Sequence, residues 1–462
     1  MTDVTLIPEP ELNRLTDPLT PSTEVAAWLT QRLGRPGSLR RDVLSSLGEL
    51  LLATADDDRE VESENSFSAK ALEIPTVGGH TVVESRDLTG VSSITSAMAL
   101  AEWIAEHDAP IGPCRHTDPP RWTTSRVGDD IHHHPQDLRA AFRAGSLHSE
   151  APCVIAIDVR PNYGRPTITA VVRPEHQDVA QEVLDRLEGR AVELSPFKGR
   201  VCQVSSSGLG LSLNVIDLPE GISRKRTVVP PLVWDEISLG VASILHRQEL
   251  MKQFSLGCRR ACLLVGPPGC GKSLVSAVIA KELVAEGVTV LYVDARAGER
   301  LLTDVMAEAR NLEPSLVVLE DIDLFVSERG RMGGGGGLSE LLQAMDGPDS
   351  RVLTLASCNA LTIDAAGLRT GRMDSILEVP YPGKTAMAEI LTALLHGIPG
   401  GGDIDTVAVA SVLPDGSTSG SDIRELVRRT VLLGGSVSTA ALLAEVGVGR
   451  YKAAPVGGGT YL

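Results

Sequence analysis

Two stretches of the chain carry residue types that do chemistry together. The first is GPPGCGKSL, Gly266 to Leu274. Its spacing is G-x-x-x-x-G-K-[ST], in which glycine-freed backbone amides turn inward on a phosphate, a lysine reaches the outer phosphates and a hydroxyl ligates Mg²⁺. Gly266, Pro267, Pro268, Gly269, Cys270 and Gly271 make the loop, Lys272 supplies the cation and Ser273 the hydroxyl. Leu274 belongs to a helix whose N-terminal dipole faces the anion. The second stretch is SLVVLEDID, Ser315 to Asp323, an apolar run that ends in carboxylates. That is how a buried strand delivers acids to a site. A phosphate loop followed by such acids needs two carboxylate roles: one holds Mg²⁺, the other orients an attacking water. ATP with Mg²⁺ is the ligand these pieces predict.

The elements that must hold these groups are legible around them. From about residue 232 the chain alternates short apolar strands with helical segments: ACLLVG, VTVLYVDA, SLVVLED, RVLTLASC and SILEVPYP are the strands. That alternation predicts a parallel sheet covered on both faces. ACLLVG runs into the phosphate loop, and a helix ending near Gly287 follows it. The fold class expected is α/β: a P-loop, three-layer parallel-sheet core over 232–382 with a C-terminal helical lid over 383–450. The lid is read from KTAMAEILTALLHG, SDIRELVRRTVLLGG and STAALLAEVGVGRY, and a flexible tail follows over 451–462.

An α+β N-terminal region precedes this core. Residues 151–225 read as a small α+β domain. CVIAIDVR and TITAVVRP form its hairpin, EHQDVAQEVLDRLEG is an amphipathic helix closed by Gly189, and GRVCQVS and GLSLNVIDLP are further strands. GISRKRTVVPP reads as a linker. Residues 1–145 read as helical and irregular, with helices in EVAAWLTQRL, DVLSSLGELLLA and SAMALAEWIAEH. The Pro-rich stretch from Ala109 to Gln136 reads as a long loop. Cys114, His116, His132, His133 and His134 lie in it. A metal site is conceivable there, but three adjacent histidines do not converge on one ion, and a solvated loop is expected.

Composition bounds the rest. The chain has 462 residues, 42% hydrophobic and 22% charged, so it can bury real cores. Its net charge of -17 disfavours nucleic acid as a partner. The seven cysteines contain no CxxC pair and do not form a disulfide framework. The N-terminus lacks the pattern of a secretory signal, and no apolar run approaches the ~20 residues of a membrane helix. No membrane partner and a cytoplasmic location are therefore expected.

The stretch from about 232 to 450 resembles the AAA family of ATPases, within the larger AAA+ group. In that family the second motif reads as four apolar residues, Asp, Glu, an apolar residue and Asp. Aligning LVVLEDID on Ile322 and Asp323 puts Glu320 at the metal-site acid and Asp321 at the general base, with Asp323 structural. The Glu-Asp order is reversed from the usual one and resembles what some branches carry, the Bcs1-like branch among them. Glu is longer by one methylene, so the metal arm is lengthened and the base arm shortened.

Further motifs follow in the family's order. Asn359, at the end of RVLTLASCN, matches the sensor that helps place the attacking water. Arg369 and Arg372, in LRTGRMD, match paired arginine fingers that reach the neighbouring subunit's γ-phosphate. LSELLQAMDG resembles the helix before that strand, and STSGSDIRELVRR resembles the lid helix, with Gly420 and Ser421 near the nucleotide. The resemblance implies an ATPase that forms a homo-oligomer, a hexameric ring, and remodels a protein partner bound through the N-terminal region. The family's pore aromatic is missing, because Tyr292 sits inside a strand, and the Gly run in RGRMGGGGGLSE reads as a mobile loop. Two rival readings stand beside this one: a slow ATP-dependent assembly switch or scaffold, and a nucleic-acid motor.

Overall fold

The protein is described from a computed structural model that covers residues 62–75, 80–148, 150–160, 165–207, 210–293, 300–323, 349–359, 373–434 and 436–452. The first two expected helices, the Gly run, LSELLQAMDG, Arg369, Arg372 and all but two residues of the tail lie outside these.

The N-terminal part is built on an antiparallel sheet. Its strands are β1 (Val82–Asp87), β2 (Ile111–Gly112), β3 (Arg121–Val127), β4 (Asp130–Phe142), β5 (Cys153–Asp158) and β6 (Thr167–Val172), in the order β1-β6-β5-β4-β2, with β3 also on β4. Helices α2 (Gly90–Glu106) and α3 (Gln177–Glu193) cover one face through Leu100, Leu138, Ile155, Ile157, Ile168, Leu184 and Leu187. On the other face α1 (Glu64–Leu72) sets Phe67 and Leu72 against Val154 and Val171. A reciprocal capping box between Thr89 and Ser92 starts α2.

Three expectations are corrected here. The boundary near 145–151 does not hold, because β4 pairs with β5 across it from Asp137↔Asp158 to Phe142↔Cys153. The loop expected up to Gln136 contains β2, β3 and the first half of β4. β3 and β4 keep polar residues on their exposed positions, so composition hid a two-residue alternation. The helix expected to stop at Gly189 runs on to Glu193. Leu187 and Ala191 are buried in the core, and Arg190 reaches Glu102 of α2 at 2.6 Å, so tertiary contacts override the glycine.

The second sheet has seven strands in the order β13-β9-β12-β11-β10-β7-β8: β7 (Val201–Ser207), β8 (Gly210–Val215), β9 (Arg260–Val265), β10 (Thr289–Val293), β11 (Ser315–Leu319), β12 (Val352–Cys358) and β13 (Ser375–Glu378). The five expected strands are all present and mutually parallel. On one face lie α4 (Pro231–Leu245) and α6 (Lys272–Ala285), through Val233, Ile237, Val275, Ile279 and Leu283. On the other lies α7 (Arg300–Asn311), through Leu302, Val305 and Ala309. The short α5 (Gln248–Gln253) follows α4.

One expectation about this sheet is corrected. The sequence places GRVCQVS and GLSLNVIDLP in the small N-terminal domain, yet β7 pairs in parallel with β10, from Val290↔Val201 to Val293↔Val204, and β8 pairs with β7. The hairpin completes the edge of the second sheet, and Cys202, Val204, Leu211 and Leu213 share its core. Val91 at the start of α2 and Val127 at the end of β3 enter that same core. Helices α8 (Lys384–Leu395), α9 (Thr406–Val412), α10 (Gly420–Gly434) and α11 (Thr439–Val448) form the C-terminal helical unit around Leu391, Val409, Ile423, Leu426 and Leu442. Among the described residues, no single helix is long and apolar enough to cross a membrane.

Candidate active site

The phosphate loop joins β9 to α6 at the carboxyl ends of the parallel strands, where α/β sheets place their ligands. Its glycines are required by geometry. Gly269 (φ 77°) and Gly271 (φ 104°) occupy left-handed backbone, and Gly271 is the N-cap of α6. A Cβ at Gly266 would lie 2.0 Å from the Val379 carbonyl oxygen. Only glycines let this backbone curl tightly enough to aim its amides inward.

Lys272 is 6% exposed and turns back on the loop. Its Nζ donates to Gly266 O (2.8 Å), Pro267 O (3.0 Å) and Asn359 Oδ1 (2.9 Å). Burial lowers its pKa from the usual lysine value, and the charges of Cys270, Asp321, Cys358 and Asp323 oppose that shift. Asn359 directly follows β12. Its Nδ2 donates to Asp321 Oδ1 (3.1 Å) and Asp323 Oδ2 (3.5 Å). Lysine, asparagine and aspartate thus form one chain of hydrogen bonds across two strand ends and the loop.

The two acids diverge. Glu320 continues the face of Leu316 and Val318, which packs on the side of α6, and its amide donates to Val293 O (3.4 Å). Asp321 turns to the other side, with its amide donating to Ser357 Oγ (3.2 Å). Its φ is 51°, in the left-handed region that Asp and Asn tolerate better than longer residues. The residue in the second position thus adopts a conformation that suits a short side chain.

A cleft of about 630 Å³ opens beside these groups, lined by Pro268 to Leu274, Asp321 and Asn359. Ser273 is exposed in it. The lid closes one side: Ser421 N donates to Gly269 O (3.1 Å), and Gly420 sits so close that a Cβ there would lie 3.2 Å from the same oxygen. Cys270 is buried, and burial raises its pKa. Glu320 does not line the cleft directly. The oxygen donors, the Ser273 hydroxyl and the Glu320 carboxylate, are hard ligands that suit Mg²⁺. The loop's glycines suit a phosphate that backbone can approach closely. The residues fit MgATP.

Sequence reasoning missed the rest of the cleft. Ile222, Arg226, Thr227 and Val228, read as linker, line it, as do Ile390 and Leu394 of α8. The apolar pair at i, i+4 and the Thr-Val step after the basic run were the available signals, and neither is specific. The linker is held in place by Arg224, bonded to both carboxylate oxygens of Glu282 on α6 (2.8 and 3.0 Å) and lying over the Trp234 ring.

The N-terminal histidines do not form a metal site. His132, His133 and His134 are successive residues of a strand, so neighbours point to opposite faces. His133 stacks on Trp122, while His134 is buried between Ser125 Oγ (2.9 Å) and Pro135 O (2.9 Å). A second cluster went unnoticed in the sequence: Cys114, Asp137 and Asp158, whose ligand atoms lie within 4.8 Å of one another. Arg160 already binds Asp137 (2.9 Å) and Asp158 (3.0 Å), and Arg115 binds Asp158 (2.7 Å). The cluster is a buried ion-pair network, in which burial still raises the pKa of Asp137 against the pull of Arg160.

Residues 262–381 match the model of the family described as ATPase family associated with various cellular activities (AAA). A Dictyostelium discoideum protein named for a role as a ribosome biogenesis ATPase, nvl, is 32% identical over 250 residues, 47% of this chain and 29% of its own length. Protein mac-1 of Caenorhabditis elegans is 32% identical over 330 residues, 64% of this chain and 39% of its own. The chain thus spans well under half the length of either relative. The match to the AAA model falls on the parallel sheet, whose strand order and phosphate loop are those of a P-loop fold.

Proposed function

We propose that this chain hydrolyses ATP in the cleft between phosphate loop and lid, and that it works as a ring-forming remodeller of a protein partner. The observation that carries the catalytic half is the hydrogen-bonded chain Lys272–Asn359–Asp321 beside an exposed Ser273. Lys272 exchanges its bonds to Gly266 O and Pro267 O for phosphate oxygens. The phosphate's negative charge offsets the burial that now lowers the lysine's pKa. Asp321 accepts the hydrogen bond of the attacking water and Asn359 fixes both, so the water is held in line with the γ-phosphate. Ser273 and Glu320 would hold Mg²⁺, which when bound neutralises charge on the phosphate oxygens. The adenine has an apolar slot between Ile222, Val228, Ile390 and Leu394.

The ring is supported by the family, whose members commonly assemble that way, and by the LRTGRMD motif, where Arg369 and Arg372 would complete a neighbour's site. A hexamer is the ring size proposed. The antiparallel N-terminal sheet is the proposed receptor for the protein partner. The seven cysteines are all free, which supports a reducing compartment, and the cytoplasm is proposed.

A second reading, a slow ATP-dependent switch, is favoured by one observation: the short arm of Asp321 on left-handed backbone. Steady-state phosphate release over a protein concentration series, with Lys272→Ala and Asp321→Asn alongside, decides between them. Turnover per subunit that rises with concentration and vanishes in both variants supports the remodeller. Wild-type turnover no higher than that of Asp321→Asn, with ATP-dependent assembly retained, supports the switch. Concentration-independent turnover overturns the shared site between subunits.

A further inference from the structure

Tyr292 is the aromatic residue that no role described so far uses. It lies on β10, directly paired with Val318 of β11, and its ring packs against the core on the α4–α6 side. Residues paired in register share a face, and the next residue on that face of the neighbouring strand is Glu320. The two strands are still bonded there, Glu320 N to Val293 O at 3.4 Å. Tyr292 and Glu320 are therefore diagonal neighbours on one face of the sheet, and the charge of Glu320 is felt at the phenol.

The Tyr292 hydroxyl is buried and has no hydrogen-bond partner among the described residues. Buried hydroxyls are almost always satisfied, and one left open diagonally across the sheet from Glu320 calls for an explanation. Phenylalanine would fill the same core without that cost. Burial first, and then the negative charge of Glu320, push the phenol's pKa upward. The charge that acts on this hydroxyl is thus the acid assigned to the cation.

Resting on the ATPase reading above, we propose that Tyr292 is a positioning residue for the metal arm: its hydroxyl donates a hydrogen bond to the Glu320 carboxylate when the site is loaded. The reversed acid order gives this need its reason. A glutamate in the metal position has one more rotatable bond than an aspartate, so its carboxylate is less well placed by the backbone alone. A neighbouring donor restricts it. The phenol gains its partner when Glu320 is drawn to the cation.

The test is Tyr292→Phe, which keeps the ring and removes the hydroxyl. Binding of a fluorescent ATP analogue is titrated in EDTA and over a Mg²⁺ series, with thermal melting of the empty protein recorded beside it. Expected are analogue affinity in EDTA equal to wild type, a Mg²⁺ half-saturation raised about three- to tenfold, and a melting temperature unchanged or higher, because a costly buried hydroxyl is gone. Against a Glu320→Gln background the same change should add nothing. A wild-type Mg²⁺ dependence in Tyr292→Phe overturns the proposal. So does a lowered melting temperature without a Mg²⁺ effect, which marks a structural hydroxyl. Wild-type protein that binds the analogue with no Mg²⁺ dependence overturns the ATPase reading together with this one.

Discussion

In the antiparallel sheet the buried charges lie in ion pairs, although burial still raises the pKa of Asp137. Arg160 lies on Asp137 and Asp158, Arg115 joins it, and Arg139 of β4 holds Glu64 and Ser68 of α1 at 3.0 and 3.1 Å. In the parallel sheet the strand ends are different. Lys272, Asn359 and Asp321 hold one another beside an open cleft, and Ser273 faces solvent. Burial explains the contrast. A charge enclosed on all sides must be paired within the fold, because water cannot reach it and unpaired it costs several kcal/mol. Groups at an open cleft can exchange their internal partners for a ligand. The first sheet spends its polar groups on staying folded, and the second keeps its own available.

The sharpest way to break that contrast is at Asp321. Asp321→Asn should lower ATP turnover on the order of 10²–10⁴-fold with little change in the urea midpoint. A large loss of stability instead would put Asp321 in the structural class. The complement is Arg160→Met. It leaves Asp137 and Asp158 buried without their shared partner and should cost about 3–5 kcal/mol in urea unfolding. Phosphate release per folded molecule should hold, and a selective loss of turnover would show that the two sheets are not separate in this sense.

A finer test is Asp321→Glu, which restores a long base arm. On left-handed backbone the longer residue should cost about 1 kcal/mol of stability and should not raise turnover. Faster hydrolysis would show that arm length, not backbone, limits the site. The smallest effect concerns His134. Burial, the first cause, and His133 and His132 lower its pKa despite the Pro135 bond, so the fold favours the neutral ring. Its contribution to stability is full above the ordinary value of 6.5 and falls as pH drops through that value toward the lowered one. The wild-type urea midpoint should therefore fall between about pH 7 and pH 5 more steeply than that of His134→Gln. Equal slopes would remove His134 as the cause.

The second sheet was far more readable in the sequence than the first. Its strands are short unbroken apolar runs, buried on both faces, and its loop must be glycine at Gly266, Gly269 and Gly271 for local steric reasons. Local causes leave local signals. The first sheet failed for the opposite reason. β3 and the start of β4 are half exposed, so TTSRV and DIHHH carry polar residues that read as loop. The place of β7 was hidden because its partner β10 lies more than eighty residues downstream, and nothing in VCQVSSS names it. The cleft walls from the linker and α8 were missed in the same way. An apolar residue that will line a cleft looks like any other until the chain is folded.

That late-paired strand has a practical meaning for anyone cutting the chain. A fragment beginning at residue 232 keeps every motif of the ATPase half but loses β7 and β8. It would bare one side of β10, the run Thr289–Val293, with a row of unsatisfied amides and carbonyls on five mostly apolar residues. Such an edge recruits strands from other molecules. The motif-bearing half should precipitate or form spurious multimers on its own, and those multimers would be easy to mistake for a ring. Colloidal good behaviour of the engine is thus a property conferred by Val201–Ser207, a segment that contributes nothing to its chemistry.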